Sequence, residues 1–242
     1  MSSITWTPHA VASEARRRER RLWRAVEAQH VAATRRLVDT LEEQRQLEQI
    51  LEGSKPPLPA SARELHYLLG TPFRYPSPFG SRFRAPDDPG VFYGAAERRT
   101  ACAEIGYWRW RFLEDSQGLD QLGPSPQSLF CAAVRGSTVD LTRAPFDRDA
   151  KLWQSPDDYQ PTQAFARVAR LAEVRTILYR SVRDPAPVPG LCGAVLAADA
   201  FKPREPVAPV ETWFLTVTHS HATWQREGDA YEFAMERWRR SG

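Results

Sequence analysis

Three side chains in the first half of the chain have the chemistry to bind and act on a small charged ligand. Arg82 carries a planar guanidinium that can hold a phosphate or a carboxylate through two hydrogen bonds. Tyr93 carries a flat ring that can stack on an aromatic ligand. Glu104 stands among small and apolar residues at 101–103 and 105, where a carboxylate is either paired with a cation or functional. These residue types alone favour a structural ion pair between the arginine and the glutamate.

Several common catalytic and metal-binding motifs are absent from the sequence. There is no G-x-x-x-x-G-K-[ST] phosphate loop, no G-x-G-x-x-G motif and no G-x-S-x-G nucleophile elbow. His219 and His221 alternate on a predicted strand, so both could lie on one face as metal ligands. A pair of histidines without a Cys, Asp or Glu ligand close by is a weak zinc signature. We therefore predict no metal site.

The composition is that of a globular protein and excludes some classes of function. The 242 residues are 42% hydrophobic and 26% charged, and 33 basic against 30 acidic residues leave a net charge of +3. Such a small excess does not indicate nucleic-acid binding. No apolar run approaches the roughly 18–20 residues that cross a membrane, and no signal-peptide core precedes the first arginines. We expect a soluble, cytoplasmic protein, with the widely spaced Cys102, Cys131 and Cys192 as small buried side chains.

The first quarter of the chain has the strongest helical pattern. Residues 11–53 contain no proline and are rich in good helix formers, and Thr40 and Glu43 match a capping box. The sequence thus predicts one helix, or two helices that meet near Asp39. Its arginines at 16–24 are interleaved with Glu19 and flanked by Glu14 and Glu27, which favours a solvated or partner-binding helix face over a nucleic-acid patch.

From about residue 74 the pattern changes to short strands between turns. Strands are predicted at 91–93, 128–134, 139–141, 176–182, 192–196 and 212–218, with a turn at 135–137. Helices are predicted at about 62–69, 97–112, 161–172 and 228–240. The irregular alternation of strands and helices favours an α+β fold.

Four motifs resemble the RES domain, which is found in bacterial toxins paired with Xre-type antitoxins. They are Gly80-Ser81-Arg82-Phe83, Gly90-Val91-Phe92-Tyr93, Thr100-Ala101-Cys102-Ala103-Glu104 and Tyr179-Arg180-Ser181-Val182-Arg183. The resemblance covers about residues 74–201. It implies an α+β fold like that of ADP-ribosyltransferases, with mixed and antiparallel sheets and flanking helices. Residues 71–242 would form the catalytic domain and residues 1–70 an N-terminal helical extension.

The resemblance also implies a substrate, a reaction and residue roles. NAD⁺ would be cleaved between nicotinamide and ribose, with no cofactor beyond NAD⁺ itself. Glu104 would stabilise the positive charge that develops on the ribose, and Tyr93 would stack on the nicotinamide. Arg82 would hold the pyrophosphate or the adjacent ribose, and Ser181 the nicotinamide or a ribose hydroxyl. The family's early arginine is matched by either Arg24 or Arg74. With the resemblance, a functional site is favoured over a structural ion pair.

The acceptor and the partner follow less directly from the resemblance. Water would make the protein a glycohydrolase, phosphate a phosphorylase, and a target protein an ADP-ribosyltransferase. An NAD⁺-depleting toxin that arrests growth would be neutralised by an Xre-like antitoxin, without membrane or direct nucleic-acid contact. The alternative of another class is a non-catalytic module that binds nucleic acid or protein through its arginine-rich segment.

Overall fold

Eight strands form one mixed sheet in the part of the chain that the computed structural model describes, residues 6–28, 39–75 and 78–239. The strands are β1 Arg16–Glu27, β2 Phe92–Ala95, β3 Gln121–Asp140, β4 Thr176–Arg180, β5 Leu191–Val195, β6 Glu211–Thr218, β7 His221–Arg226 and β8 Asp229–Ala234. The helices of the described ranges are α1 Pro8–Glu14, α2 Leu41–Ser54, α3 Tyr67–Arg74, α4 Arg98–Glu114, α5 Ala150–Trp153, α6 Gln160–Leu171 and α7 Glu236–Arg239. The predicted α+β class with a mixed sheet is confirmed.

The long strand β3 organises the sheet because it pairs along both of its edges. On one edge it pairs antiparallel with all of β1, from Arg16 opposite Thr138 to Glu27 opposite Gln127. On the other edge its first part pairs with β6 and its last three residues pair parallel with β4. Since β1 also pairs with β2, the strands β1, β2, β5, β4 and β3 close into a ring. The β6–β8 strands continue the sheet beyond it.

Alternation along β3 divides the buried side chains between two cores. Phe130, Ala132 and Val134 join Leu22 of β1 and Phe92 of β2 in the smaller core. Leu129, next to Phe130 in sequence, belongs to the larger core, against which the apolar side of α4 packs. Full burial of one large apolar side chain stabilises a fold by about 1.5–3 kcal/mol. The ring strands and α4 are therefore held in a fixed relation.

The predicted helix over residues 11–53 is wrong at 16–27 and correct at 41–53. Its residues 11–14 belong to α1, and its residues 29–38 lie outside the described ranges. Residues Arg16–Glu27 form strand β1, because pairing with β3 and burial of Leu22 and Ala25 outweigh helix preferences of a few tenths of a kcal/mol per residue. Helix α2 is confirmed, including its capping box. The backbone N–H of Glu43 donates to Thr40 Oγ1 at 3.2 Å, and the Glu43 carboxylate accepts from the N–H of Thr40.

The N-terminal segment is consequently not purely a helical extension. Its strand β1 lies inside the same sheet as the predicted catalytic region. Because these residues form a strand, their arginines do not lie on the predicted helix face. Glu14 lies in α1 and Glu27 at the far end of β1, so neither is interleaved with them along one helix face. The division of the chain at residue 70 stays a prediction.

The remaining predicted elements are partly wrong and partly confirmed. The turn at 135–137 is wrong because those residues pair with β1 within one continuous β3. The helix at 228–240 is wrong because β8 forms a hairpin with β7 before the short α7. The helix near 62–69 is displaced to α3, after a 3₁₀ turn at Ala60–Ala62. Helices α4 and α6 and strands β2, β4, β5 and β6 lie where expected, and the three cysteines are buried free thiols, as predicted. No helix among the described residues is long and apolar enough to span a membrane.

Candidate active site

A cavity of about 370 Å³ lies between strands β1, β2 and β5, helix α4 and the loops near residues 81 and 159. This volume falls in the range of small-molecule sites, about 300–1,000 Å³. Four of the sequence-predicted residues line it, namely Arg24, Arg82, Tyr93 and Glu104. Other lining side chains are large aromatics, a further cation and a thiol: Trp23, Trp108, Tyr159, Tyr179, Arg183 and Cys192.

Glu104 projects from the second turn of α4 and is fixed by a hydroxyl. Ser181 Oγ donates to Glu104 Oε1 across 2.5 Å, and Cys192 Sγ lies 3.8 Å from the same oxygen. Burial raises the pKa of Glu104, while the Ser181 hydrogen bond and the charges of Arg82 and Arg183 oppose that rise. In the described part of the chain Glu104 has no cation within ion-pair distance. The structural Arg–Glu ion pair is therefore not formed.

Ser181 lies immediately after β4, and its hydrogen bonds fix the direction of its proton. The backbone N–H groups of Arg183 and Asp184 donate to Ser181 Oγ at 3.2 and 2.9 Å. With two donors on its oxygen, the hydroxyl directs its own proton to Glu104. Ser181 is buried and stands behind Glu104, outside the lining of the cavity.

A buried carboxylate holds the loop that follows Ser181. Asp184 accepts hydrogen bonds from the Arg99 guanidinium, the Thr100 hydroxyl and the N–H groups of Ala186 and Gly190, at 2.5–3.1 Å. Burial by itself raises the pKa of Asp184, but the bonds from Thr100, Ala186 and Arg99 bring it below its ordinary value. Because Arg99 and Thr100 belong to α4, Asp184 ties the Ser181 loop to the helix that carries Glu104.

Tyr93 on β2 anchors the turn that carries Arg82. Its hydroxyl accepts a hydrogen bond from the backbone N–H of Phe83 at 2.9 Å and lies 2.7 Å from the hydroxyl of Ser81. Burial raises the pKa of Tyr93, against the effect of these hydrogen bonds. The phenol group thus has a structural role, and the ring contributes to the cavity wall.

Gly94, next to Tyr93, allows β2 to approach β1 closely. A Cβ atom at this position would lie 2.9 Å from the Leu22 side chain on β1, so only glycine fits without displacing the strand.

Arg82 is 9% exposed and is held by backbone carbonyls on the far side of the cavity. Its Nη1 donates to the carbonyl oxygens of Trp153 and Ser155 at 3.0 and 2.9 Å. Its guanidinium carbon lies 4.8 Å from the centre of the Tyr159 ring. A cation is therefore fixed in the wall of the cavity, in the electrostatic environment of Glu104.

The structure distinguishes between the two candidate early arginines. Arg24 on β1 lines the cavity and donates from Nη1 to the carbonyl of Tyr93 at 2.7 Å. Its guanidinium carbon lies 4.9 Å from the centre of the Phe92 ring. Burial lowers the pKa of Arg24 to about 10, so the side chain remains charged at neutral pH. Arg74, at the end of α3, donates from Nε to the carbonyl of Pro56 at 2.6 Å and does not line the cavity.

Sequence reasoning missed several residues of this site. Arg183 is the last residue of the Tyr179–Arg183 motif. That motif was the available signal, but no role was predicted for Arg183 from it. Tyr159 and Trp108 had no signal in the sequence beyond their residue type. Trp108 is 51% exposed at the cavity, whereas its neighbour Trp110 is buried against the body of the protein.

The two histidines considered as metal ligands have other surroundings. His219 Nδ1 lies 2.7 Å from a carboxylate oxygen of Glu114, which raises the pKa of His219 at the surface. His221 Nδ1 lies 3.0 Å from the Ser220 hydroxyl. Within the described ranges, no three His, Cys, Asp or Glu side chains cluster in a way that could hold a metal ion.

Comparison with known proteins identifies the family. No curated protein matches the chain. The crystal structure of the M. tuberculosis MbcT–MbcA toxin–antitoxin complex contains a similar chain, with 13% sequence identity, coverage of 96% of this chain and 94% of that chain, and a TM-score of 0.47. The RES domain model matches residues 58–218, more than half of the chain. The matched segment contains Arg82, Tyr93, Glu104 and Ser181, and the chain belongs to the RES domain family.

Proposed function

We propose that this protein is a RES-type toxin that cleaves NAD⁺ at the bond between nicotinamide and ribose. The observation that carries the proposal is the Ser181–Glu104 hydrogen bond, which orients a carboxylate in the wall of a cavity that also presents Tyr93, Arg24 and Arg82. In this proposal the toxin acts in the cytoplasm, depletes NAD⁺ and arrests growth, and an Xre-like antitoxin neutralises it. NAD⁺ is the substrate, and no further cofactor is required.

The chemistry requires one well-placed carboxylate. When the nicotinamide–ribose bond breaks, its electron pair leaves with the nicotinamide nitrogen, which becomes neutral, and the ribose carbon takes on positive charge. An ionised Glu104 stabilises that charge, and its effect is strong because the group is already oriented and largely removed from water. The neutral leaving group needs no general acid. The acceptor then forms a bond to the ribose carbon; water releases a proton to solvent as it does so, whereas a phosphate dianion can attack through an oxygen that carries none.

The remaining residues bind and orient the substrate. The Tyr93 ring stacks on the nicotinamide, and Arg24 and Arg82 bring two positive charges for the two negative charges of the pyrophosphate. Ser181 acts through Glu104, since its hydroxyl is directed to the carboxylate and lies outside the cavity lining. It is thus a positioning residue in this proposal.

The test is to incubate the purified protein with NAD⁺, with and without inorganic phosphate, and to identify the products by mass spectrometry. ADP-ribose indicates water as the acceptor, a phosphorylated ADP-ribose indicates phosphate, and labelled protein indicates the transferase alternative. Glu104→Gln keeps the shape of the side chain and removes its charge, so we expect at least about a 100-fold loss of NAD⁺ cleavage. Glu97→Gln, at the exposed start of the same helix, is the matched control and should retain activity.

The biological part of the proposal has a separate test. Expression of the wild-type chain should stop growth and lower cellular NAD⁺, whereas the Glu104→Gln variant should be tolerated. Co-expression with a small Xre-like protein encoded beside this chain should restore growth. Intact NAD⁺ and absence of labelled protein in the purified reaction would contradict the enzymatic proposal.

A further inference from the structure

Arg183 is a buried cation in the cavity wall that has no part in the chemistry described above. It is 4% exposed, and its guanidinium carbon lies 3.8 Å from the centre of the Tyr107 ring on α4. Its Nη2 donates to the carbonyl of Pro156 at 2.6 Å and lies 3.4 Å from the hydroxyl of Tyr159. The side chain therefore joins α4 to the loop before α6.

The backbone of Arg183 is tied to the Ser181–Glu104 pair. Its N–H is one of the two donors that fix Ser181 Oγ, and its carbonyl accepts from the indole N–H of Trp238 at 2.7 Å. Tyr107 follows Glu104 by three residues, so the two side chains are neighbours on one face of α4. The stacking of Arg183 on Tyr107 thus fixes the Ser181 loop one helical turn from Glu104.

We propose that Arg183 is a positioning residue that holds Ser181 against Glu104 and keeps the Glu104 carboxylate charged. This proposal rests on the proposed function, in which an ionised Glu104 stabilises the ribose cation. Arg183 itself is not required to contact the substrate. Its effect is exerted through the loop geometry and through its charge.

The groups around Glu104 indicate why a second arginine matters. The described residues that act electrostatically on Glu104 include Arg82 before β2, Arg183 after β4, Tyr179 on β4 and Cys192 on β5. Arg183 is itself faced by the exposed carboxylate of Asp157, whose Oδ1 lies 3.8 Å from Nη2. Burial raises the pKa values of Tyr179 and Cys192 well above their ordinary values, so both groups are neutral when Glu104 titrates. The hydrogen bonds from Ser181 and Cys192 and the charges of the two arginines together offset the cost of burying the carboxylate charge. Removal of one of them should raise the pKa of Glu104 further.

Two substitutions separate the charge of Arg183 from its packing. Arg183→Met keeps an unbranched side chain over Tyr107 without the charge, and Arg183→Lys keeps the charge without the planar guanidinium. The first readout needs no substrate: the titration of Glu104 in the protein with ¹³C-labelled glutamate, assigned by comparison with Glu104→Gln. We expect the midpoint to move to higher pH in Arg183→Met and to stay near the wild-type value in Arg183→Lys.

The second readout is the pH profile of NAD⁺ cleavage. In Arg183→Met the acid limb of kcat should move to higher pH, and kcat should fall by about 10- to 100-fold with little change in KM. Arg183→Lys should restore the position of the acid limb. Arg143→Met, which removes a surface arginine, is the control and should change neither readout. If Arg183→Met does not fold, Arg183→Gln takes its place as the neutral variant.

The outcomes distinguish this proposal from the proposed function. A wild-type protein that leaves NAD⁺ intact contradicts the enzymatic function, while the Glu104 titration still tests the electrostatic role of Arg183. A titration midpoint equal to that of the wild type in the neutral variant overturns the role of Arg183, whatever the activity. An equal loss of kcat in the Met and Lys variants, with an unmoved acid limb, shows a structural role only and also overturns it.

Discussion

The guanidinium of Arg24 donates a hydrogen bond to the backbone carbonyl of Tyr93 across 2.7 Å and so joins β1 to β2 at the edge of the cavity. Its Nε is buried and has no hydrogen-bond partner among the described residues. Buried donors are nearly always satisfied in folded proteins, by protein, water or ligand. Arg24 lies before the 58–218 segment matched by the family model. Strand β1 thus adds a cation, with its neighbours Trp23 and Ala25, to a cavity whose other lining residues lie in that segment.

The first prediction concerns Arg24 and Arg74. A charge-assisted hydrogen bond to a phosphate group contributes about 1.5–3 kcal/mol, so Arg24→Gln should raise the KM for NAD⁺ by at least roughly tenfold. Arg74→Gln loses a bond to the Pro56 carbonyl, and because Arg74 does not line the cavity the substitution should leave KM near the wild-type value. Steady-state kinetics of both variants, after each is shown to be folded by circular dichroism, checks the difference. A larger rise in KM for Arg74→Gln would reverse the assignment.

The element that carries Glu104 could be predicted from the sequence, whereas the element that carries Arg24 could not, and the reason is physical. The helix around Glu104 and the strand that ends near Tyr93 are encoded by local patterns, and both were predicted within a few residues. Arg24 reaches the cavity through long-range pairing, with Phe130 opposite it on β3 and Trp23 opposite Ala95 on β2. Arginine and glutamate are good helix formers, so local propensity predicted a helix there. Pairing partners this far apart along the chain leave no local pattern.

The loops around the site were equally hard to predict. Tyr159 contacts Arg82 and Arg183 because three segments that are distant in sequence meet at the cavity. Ser181 came from a motif, and that motif predicted a contact with the substrate. The structure instead directs its hydroxyl to Glu104, a direction that depends on the turn formed by Arg183 and Asp184.

The second prediction is a pH-dependent gain of stability in Glu104→Gln. Because burial raises the pKa of Glu104 in the folded protein, the folded state binds its proton more tightly than the unfolded chain does. Its favourable contribution is complete below the unfolded pKa and is lost as the pH rises through the folded pKa. Glutamine does not titrate, so the variant should be more stable than the wild type at neutral pH, and the difference should shrink on acidification.

Urea denaturation of both proteins over a series of pH values measures this difference. The control is again Glu97→Gln, whose exposed side chain should produce no comparable pH-dependent gain. A Glu104→Gln variant that is less stable than the wild type at neutral pH would show that the carboxylate is held by interactions stronger than the cost of its burial.

The third prediction concerns Asp184, whose pKa is shifted in the opposite direction. Asp184→Asn replaces one oxygen of a buried acceptor of four hydrogen bonds by an NH2 group, which then faces two donors, either Arg99 with the Ala186 N–H or Thr100 with the Gly190 N–H. We expect a loss of about 3–5 kcal/mol in the free energy of unfolding at neutral pH. In the wild type this stabilisation is present above the unfolded pKa and is lost as the pH falls through the lowered folded pKa.

Chemical denaturation at neutral and acidic pH checks the prediction, with Asp120→Asn as the control because Asp120 is exposed. The two Asn variants should differ strongly at neutral pH, and the deficit of Asp184→Asn should shrink in acid. A variant that keeps wild-type stability at neutral pH would show that the Ser181 loop is held to α4 by other contacts.

The last prediction tests whether the chain can be divided at residue 70. A fragment of residues 71–242 lacks β1, whose twelve residues all pair with β3, and it lacks the buried Leu22. Without β1 the ring of strands opens, and β3 exposes a long edge that can pair with other chains. We expect the fragment to aggregate or to show no cooperative thermal unfolding, whereas the full chain unfolds cooperatively. In the full chain, Leu22→Ala should lower the free energy of unfolding by about 2–5 kcal/mol, while substitution of the exposed Arg17 by alanine should change it little.

A fragment that is monomeric and melts cooperatively would instead establish residues 71–242 as an autonomous domain, with β1 as an added strand.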